Sequence, residues 1–410
     1  MTDGYGYAGN VLKIDLSSRT VSGYPWSDQE RRENLGGKVM AAQILRDHLT
    51  GNETAFSEDN WIVISTGPLT GTGAPGTARF DIAALSPKDD LPAFSNCGGD
   101  FGVHLKKAGY DALILTGRSK EKCWLEITGE QVIFHEAADL WGTGTGACQE
   151  KLTGLLGTTA FGRLCIGPAG ENLVKFASVV GDGHSAGRAG IGAVLGWKNL
   201  KAITVSGNST IRMHDPAAAD WNRTWHAQLR DAAQGNVRGG AVCPGCPLHC
   251  SRHLHAEGDR ILNELGMDAI ATEDAAHWAA EQGISREDLY EAIAFRRGIG
   301  DTLAEGVSHR KGKGGKRRGG SYGAIMEAFR LSPDDPETDA FCRALTEAVS
   351  AAGQCMFTVN GLRASPEGDP ALPVLKMLAL VTGREMDLEE FLQSGLRFLE
   401  LEQQIREKMR

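Results

Sequence analysis

Cys243, Cys246 and Cys250 stand in the stretch Cys-Pro-Gly-Cys-Pro-Leu-His-Cys, and a fourth thiol, Cys355, follows far downstream in Ala-Gly-Gln-Cys-Met-Phe. Three thiolates spaced so closely can hold iron or zinc, and one ligand from a remote segment closes a tetrahedral or cubane site. His249, His253 and His255 flank Cys250 and offer zinc a mixed Cys–His set instead. The CxxxCxxC order of radical S-adenosylmethionine enzymes is reversed here and fits poorly. Spacing favours an iron–sulfur cluster over zinc, with a purely structural trio of cysteines third. Either metal would tie two distant segments together, so its site is expected between structural units.

A second constellation is built from backbone. Residues 181–192 read Gly-Asp-Gly-His-Ser-Ala-Gly-Arg-Ala-Gly-Ile-Gly, placing many unencumbered N–H groups and Arg188 at an expected strand-to-helix passage, a setting that can cradle phosphate. The GxGxxG spacing and the ribose-binding acid of a dinucleotide fold are missing. Residues 71–79, ending in Arg79, and residues 95–99, with Asn96 and Gly98, have the same character. Any one such loop is as readily structural; three together point to one large polyanionic ligand.

The elements that must position these groups change character along the chain. Val11–Leu16, Trp61–Ser65, Ala112–Leu115, Trp124–Ile127, Gln131–Phe134 and Ala202–Val205 read as strands, the fourth and fifth forming a hairpin through Thr128-Gly129. Helices are expected around Lys38–Leu49 and Gly146–Leu156. After Gly207-Asn208-Ser209 the periodicity turns helical over Pro216–Ala233, Asn263–Gln282, Glu287–Gly298, Thr338–Ala352 and Leu388–Met409, with Ser285 as the N-cap of the third. The expected class is α+β: a β-rich unit over residues 1–208 and a helical unit over 209–410. The basic run 309–320 reads as a solvated, flexible loop in preference to a polyanion site.

A chain of 410 residues with 41% hydrophobic content can bury a large core. Its net charge of −9 argues against a general nucleic-acid or membrane-surface role. No run reaches the length of a membrane span, and the polar N-terminus does not resemble a secretory leader. Nine cysteines, an odd number, suit a reducing cytoplasm. Cys97, Cys123, Cys148, Cys165 and Cys342 read as small core residues without ligand roles.

Taken together these segments resemble the tungsten- or molybdenum-dependent aldehyde:ferredoxin oxidoreductase family. The similarity runs through Gly-Tyr-Ala-Gly-Asn-Val-Leu-Lys-Ile-Asp-Leu-Ser near the N-terminus, residues 65–72, Leu105–Ala112, Ile166–Ala177 and Gly192–Ala202, and continues in weaker form around Cys243–Cys250, Asn263–Ala271, Gly300–Gly306 and Ala351–Leu362. It implies a β-rich base domain carrying a bis-pyranopterin tungsten or molybdenum cofactor, capped by helices. It further implies a [4Fe–4S] cluster held by Cys243, Cys246, Cys250 and Cys355. By the same resemblance Arg79, Asn96, Gly98, Ala186, Gly187 and Arg188 contact pterin phosphates and rings. The family pattern Asp-x-x-Gly-Leu-(Asp or Cys) is matched by Asn263–Asp268 and Ser350–Cys355, so Asn263, Met267, Asp268 and Gln354 are further cofactor contacts. Asn and Ser replace the leading aspartates, and Met and Gln replace Leu.

The chain is also about a third shorter than typical family members, and no match is found for the family's active-site glutamate and histidine. Glu257, Glu264, Glu273, His253, His255 and His309 lie nearby but read as surface or helix-face residues. The implied activity is two-electron oxidation or reduction of an aldehyde- or carboxylate-level substrate, small or carrier-bound. Electrons would pass to a ferredoxin-like carrier or a partner redox subunit. A homodimer is one expected assembly. The alternative is a non-catalytic relay or cofactor-carrier subunit that kept the scaffold and lost the acid–base residues.

Overall fold

The computed structural model describes residues 4–232, 243–248, 257–285, 288–306, 320–358 and 372–410. Cys250, His249, His253, His255, Glu287 and His309 therefore lie outside the described residues, as does nearly all of the basic run 309–320.

Twelve strands occupy the first half: β1 (Asn10–Asp15), β2 (Thr20–Gly23), β3 (Ile62–Thr66), β4 (Phe80–Leu85), β5 (Pro92–Cys97), β6 (Tyr110–Thr116), β7 (Cys123–Ile127), β8 (Val132–Glu136), β9 (Gly162–Ile166), β10 (Val179–Gly181), β11 (His184–Ala186) and β12 (Leu200–Val205). They form two mixed six-stranded sheets, ordered β2-β1-β6-β3-β4-β5 and β11-β10-β9-β12-β7-β8. Only β1 with β6 and β7 with β12 run parallel. The hairpin expected between residues 124 and 134 is present as β7 and β8.

Side-chain alternation shows how the sheets stack. Leu12, Ile14, Ile62, Ile64, Ile82, Leu113 and Leu115 of the first sheet meet Leu125, Leu164, Ile203 and Val205 of the second in one core. The intervening residues Val11, Val63, Ala83, Ala112 and Ile114 face a different core, on the outer side of the first sheet. Covered on both faces, these strands need apolar residues at every position, hence the unbroken run Ala112–Leu115.

Helices supply the covers. Before the last strand come α1 (Asp28–Glu33), α2 (Gly37–His48), α3 (Phe101–Lys107), α4 (Thr145–Leu156), α5 (Pro168–Glu171) and α6 (Ile191–Trp197). After it come α7 (Ala218–Ala232), α8 (Glu257–Leu265), α9 (Ala269–Glu281), α10 (Leu289–Ala294), α11 (Ile299–Ala304), α12 (Gly320–Ala328), α13 (Pro336–Ala351), α14 (Leu372–Thr382) and α15 (Leu388–Lys408). The outer core of the first sheet is closed by α2, α13, α14 and α15 through Ile44, Leu45, Leu345, Val349, Met377, Phe398 and Leu401. A separate core joins Ala169, Ala177 and Ala193 to Leu262, Leu265, Ala276, Ile293 and Leu303 of α8–α11.

Two helix expectations are corrected. The single helix over Asn263–Gln282 is two, α8 and α9. Between them Gly266 takes φ +73°, and Met267 bridges Ala177 in antiparallel fashion. Ser178 N donates to Gly266 O at 2.8 Å and Asp268 N to Phe176 O at 3.0 Å. Pairing with residues 176–178 wins over helical continuity, and Asp268 restarts the helix as N-cap, accepting from Ala271 N at 2.9 Å. Nor does Ser285 cap the next helix: α10 starts at Leu289, after Asp288 in a left-handed conformation.

One close junction between early and late segments is backbone on backbone. A Cβ at Gly67 would lie 2.2 Å from Ala352 C and from Gly353 N. Leu69 N donates to Ala352 O at 3.0 Å. The buried Lys106 ammonium holds Gly67 O at 2.8 Å and pairs with Asp111 at 3.1 Å. Gly67→Ala has no flexible neighbour to displace, so it is expected to cost about 3 kcal/mol, the upper end for overpacking. Urea unfolding checks this; an unchanged midpoint would show that the junction gives way.

Candidate functional site

The edge strands β5 and β11, one from each sheet, approach one another at the end of the sheet stack. A cavity of about 530 Å³ opens there. Its polar wall comes from Lys38, Arg79, Asn96, His184 and Arg188, and its apolar wall from Phe94, Leu262, Met267, Ile270 and Phe357. Three cations in one concavity, with Asp268 the one carboxylate among the lining residues, suit an anionic ligand.

Of the residues proposed from sequence as cofactor contacts, Arg79, Asn96, Gly98, Gly187, Arg188, Asn263, Met267 and Asp268 line this cavity. Ala186 does not; it is fully buried in the core between the sheets. Gln354 is also away from the wall, with Nε2 donating to Thr358 Oγ1 at 3.0 Å and Oε1 sealed without a partner. The glycine-rich run divides. Gly187 faces the cavity, whereas Gly190 and Gly192 are glycine because Lys175 O and Ser178 O leave no room for a Cβ. The expected strand-to-helix passage is a small hairpin, β10–β11, followed by one 3₁₀ turn before α6.

The cysteine segments converge on the loop that leads to Arg79. Cys355 N donates to Gly76 O at 2.9 Å. On the other side the Cys243–Cys246 turn, closed by Cys246 N to Cys243 O at 3.1 Å, brings Gly245 against Gly73. Cys243 Sγ lies 3.1 Å from His184 Nε2, and a Cβ at Gly98 would sit 2.6 Å from that sulfur and 2.8 Å from Arg79 Nη1. Burial would pull the Arg79 guanidinium down, but Cys355, Cys243, Cys97 and Asp81 hold it above its ordinary value. Arg79 Nε is sealed from solvent with no partner. Among the described residues no three Cys, His, Asp or Glu side chains are grouped to hold a metal ion, and Cys250 is outside that set. What the described chain provides is a cation with an orphaned donor, two of the four cysteines at its flank, and a cavity beyond it. That donor set fits an iron–sulfur ligand sphere beside a phosphate-bearing pterin.

Several site residues escaped sequence reasoning. Lys38 reaches the cavity from α2, paired with Glu347 at 2.8 Å. Asp81 lies behind the wall in the fully buried strand β4. Its signal was available: a carboxylate inside Phe-Asp-Ile-Ala-Ala-Leu is costly to bury without partners. Burial, opposed by Lys38 and Asn96, pushes its carboxyl up to about 6. Among the nearby acids read as surface or helix-face residues, Glu264 instead caps α4, accepting from Gly146 N at 2.8 Å.

Residues 11–207 match the model of the aldehyde ferredoxin oxidoreductase N-terminal domain. Over this stretch, just under half of the chain, it is similar to that family's N-terminal domain. It is 35% identical over 212 residues to the tungsten-containing aldehyde ferredoxin oxidoreductase of Pyrococcus furiosus, a match taking in 52% of this chain and 35% of the relative. A WOR-like subunit of an aliphatic sulfonate oxidoreductase from the same organism is 32% identical, again over 35% of its length. The chain thus spans about a third of the curated relatives it matches. One solved structure, the active site complex BamBC of benzoyl coenzyme A reductase in complex with 1,5-dienoyl-CoA, superposes over 99% of this chain and 89% of its own, with a TM-score of 0.80 and 22% identity. The helical half beyond the family model therefore also has a known fold.

Cys97 is 1% exposed, and burial beside Cys243 pushes its thiol up to about 12 despite Arg79. At pH 8 it stays protonated, so in metal-free protein iodoacetamide is expected to modify the half-buried Cys243 and spare Cys97. Peptide mass spectrometry reads this directly; equal labelling would contradict the burial.

Proposed function

We propose that this chain is a redox protein of the aldehyde ferredoxin oxidoreductase type that binds a tungsten or molybdenum pyranopterin cofactor and one [4Fe–4S] cluster. The observation that carries this is that Cys243 meets Gly98 beside Arg79, and Cys355 meets Gly76 in the loop leading to Arg79, at the edge of a cationic cavity. When bound, these groups supply two-electron chemistry at an aldehyde- or carboxylate-level substrate and single-electron transfer outward. In this reading Cys243, Cys246, Cys250 and Cys355 ligate the cluster. Arg79, with Nε unpartnered, would donate to the pterin from beside the cluster cysteines. Arg188 and Lys38 add charge for pterin phosphates. Asn263 and Asp268 add polar lining, and Phe94, Phe357, Leu262, Met267 and Ile270 supply the apolar wall. Ala186 and Gln354 act behind the wall, as packing.

A second reading has its own support. Among the described residues the cavity wall offers Asp268 and His184 as titratable acid–base groups, and both are engaged. Asp268 caps α9, while His184 Nδ1 donates to Asp182 O at 2.8 Å and Nε2 meets Cys243. That favours a relay or cofactor-carrier subunit whose partner supplies proton transfer, with a ferredoxin-like protein or a redox subunit as electron acceptor. No helix among the described residues is long and apolar enough to cross a membrane. A reducing cytoplasmic setting suits ligand cysteines kept as thiolates.

Elemental analysis with paramagnetic resonance of anaerobically purified protein separates the readings. About one tungsten or molybdenum with about four irons per chain supports the enzyme; iron alone supports the relay; zinc alone overturns both. Cys355→Ser is expected to lose most of the iron, and Arg188→Ala to lower pterin content while leaving iron largely in place.

A further inference from the structure

The wall residue Asn96 is held from behind by two groups. Its Nδ2 donates to Asp81 Oδ1 at 3.0 Å and to Ser350 Oγ at 3.1 Å. Ser350 in turn donates to Asp81, at 3.1 Å from Oδ1 and 3.3 Å from Oδ2. Asp81 is fully buried and Ser350 is 4% exposed, so this triangle is closed to water. An ionised carboxylate only accepts, so the amide must turn its NH₂ inward, using both of its hydrogens there. The Asn96 carbonyl is left for the cavity.

We infer that Asp81 is a positioning residue that fixes Asn96 with its carbonyl presented to the bound ligand, and that Ser350 is the partner this arrangement requires. The ligand edge so recognised carries N–H donors, as a pterin ring does; in this respect the inference rests on the cofactor reading above. It also accounts for the departure at position 350. Where the family pattern leads with aspartate, this chain has a hydroxyl that can accept from Asn96 and donate to Asp81 at once. A second carboxylate at 350 would stand about 3 Å from the first, with neither able to donate. In this chain the negative charge behind Asn96 stands on strand β4, and position 350, in the last turn of α13, is neutral.

The test is a four-way comparison of wild type, Asp81→Asn, Ser350→Asp and the double variant. Full chains are purified anaerobically and read by pterin released per chain and by melting temperature at pH 8. Asp81→Asn lets the Asn96 amide rotate. It is expected to retain about tenfold less pterin, the factor one charge-assisted hydrogen bond carries, with little change in melting. Ser350→Asp alone is expected to melt lower. The double variant returns one carboxylate to the triangle and recovers both readouts. Full pterin content in Asp81→Asn, or a double variant no better than the worse single, overturns the inference. Should the wild type itself hold no pterin, the cofactor reading fails. Melting then still decides the Asp81–Ser350 partnership: a double variant melting no higher than Ser350→Asp refutes it.

Discussion

The contact between Gly67 and the Ala352–Gly353 peptide carries more of this structure than any side-chain interaction. Two segments almost three hundred residues apart in sequence meet with no side chain between them. Lys106 fixes the carbonyl of one, and Leu69 binds a carbonyl of the other. Because Ser350 and Cys355 flank the late segment, their placement beside Asp81, Asn96 and Gly76 follows from that approach. Loosening it would move a cavity-wall support and a cysteine together.

Stacking two sheets with their edges aligned then creates the site. The concavity opens where the edge strands β5 and β11, one from each sheet, approach one another. Cations gather at its rim: Lys38 is paired with Glu347, Arg79 lies beside Cys243 and Cys355, and Arg188 is exposed. The cavity is thus biased toward anions even though the chain as a whole is acidic.

Strong motif resemblance marked scaffold as often as site. Glu171 pairs with the buried Lys201 at 2.5 Å, Lys106 with Asp111, and Asp182 with Arg163 at 2.8 Å. These charges lie within the strand-rich first half and hold its loops in place. Arg79, Asn96, Gly98, Gly187 and Arg188 from the same half do reach the cavity wall. A buried ion pair and a ligand contact restrict a sequence equally, so the motif alone could not tell them apart.

Local sequence determined the strands whose apolar residues run unbroken or alternate, the β7–β8 hairpin and the long amphipathic helices, because those patterns arise from burial of one or both faces of a single element. It also marked the thiols and glycine loops, whose chemistry is intrinsic to residue type. What it could not determine depended on remote partners. The break between α8 and α9 exists because residues 176–178 offer Met267 a strand to pair with. Asp81 became a site residue because Ser350, from the far end of the chain, closes its hydrogen-bond triangle. Those outcomes are decided by which backbone groups finally lie within bonding distance, and only the folded chain settles that.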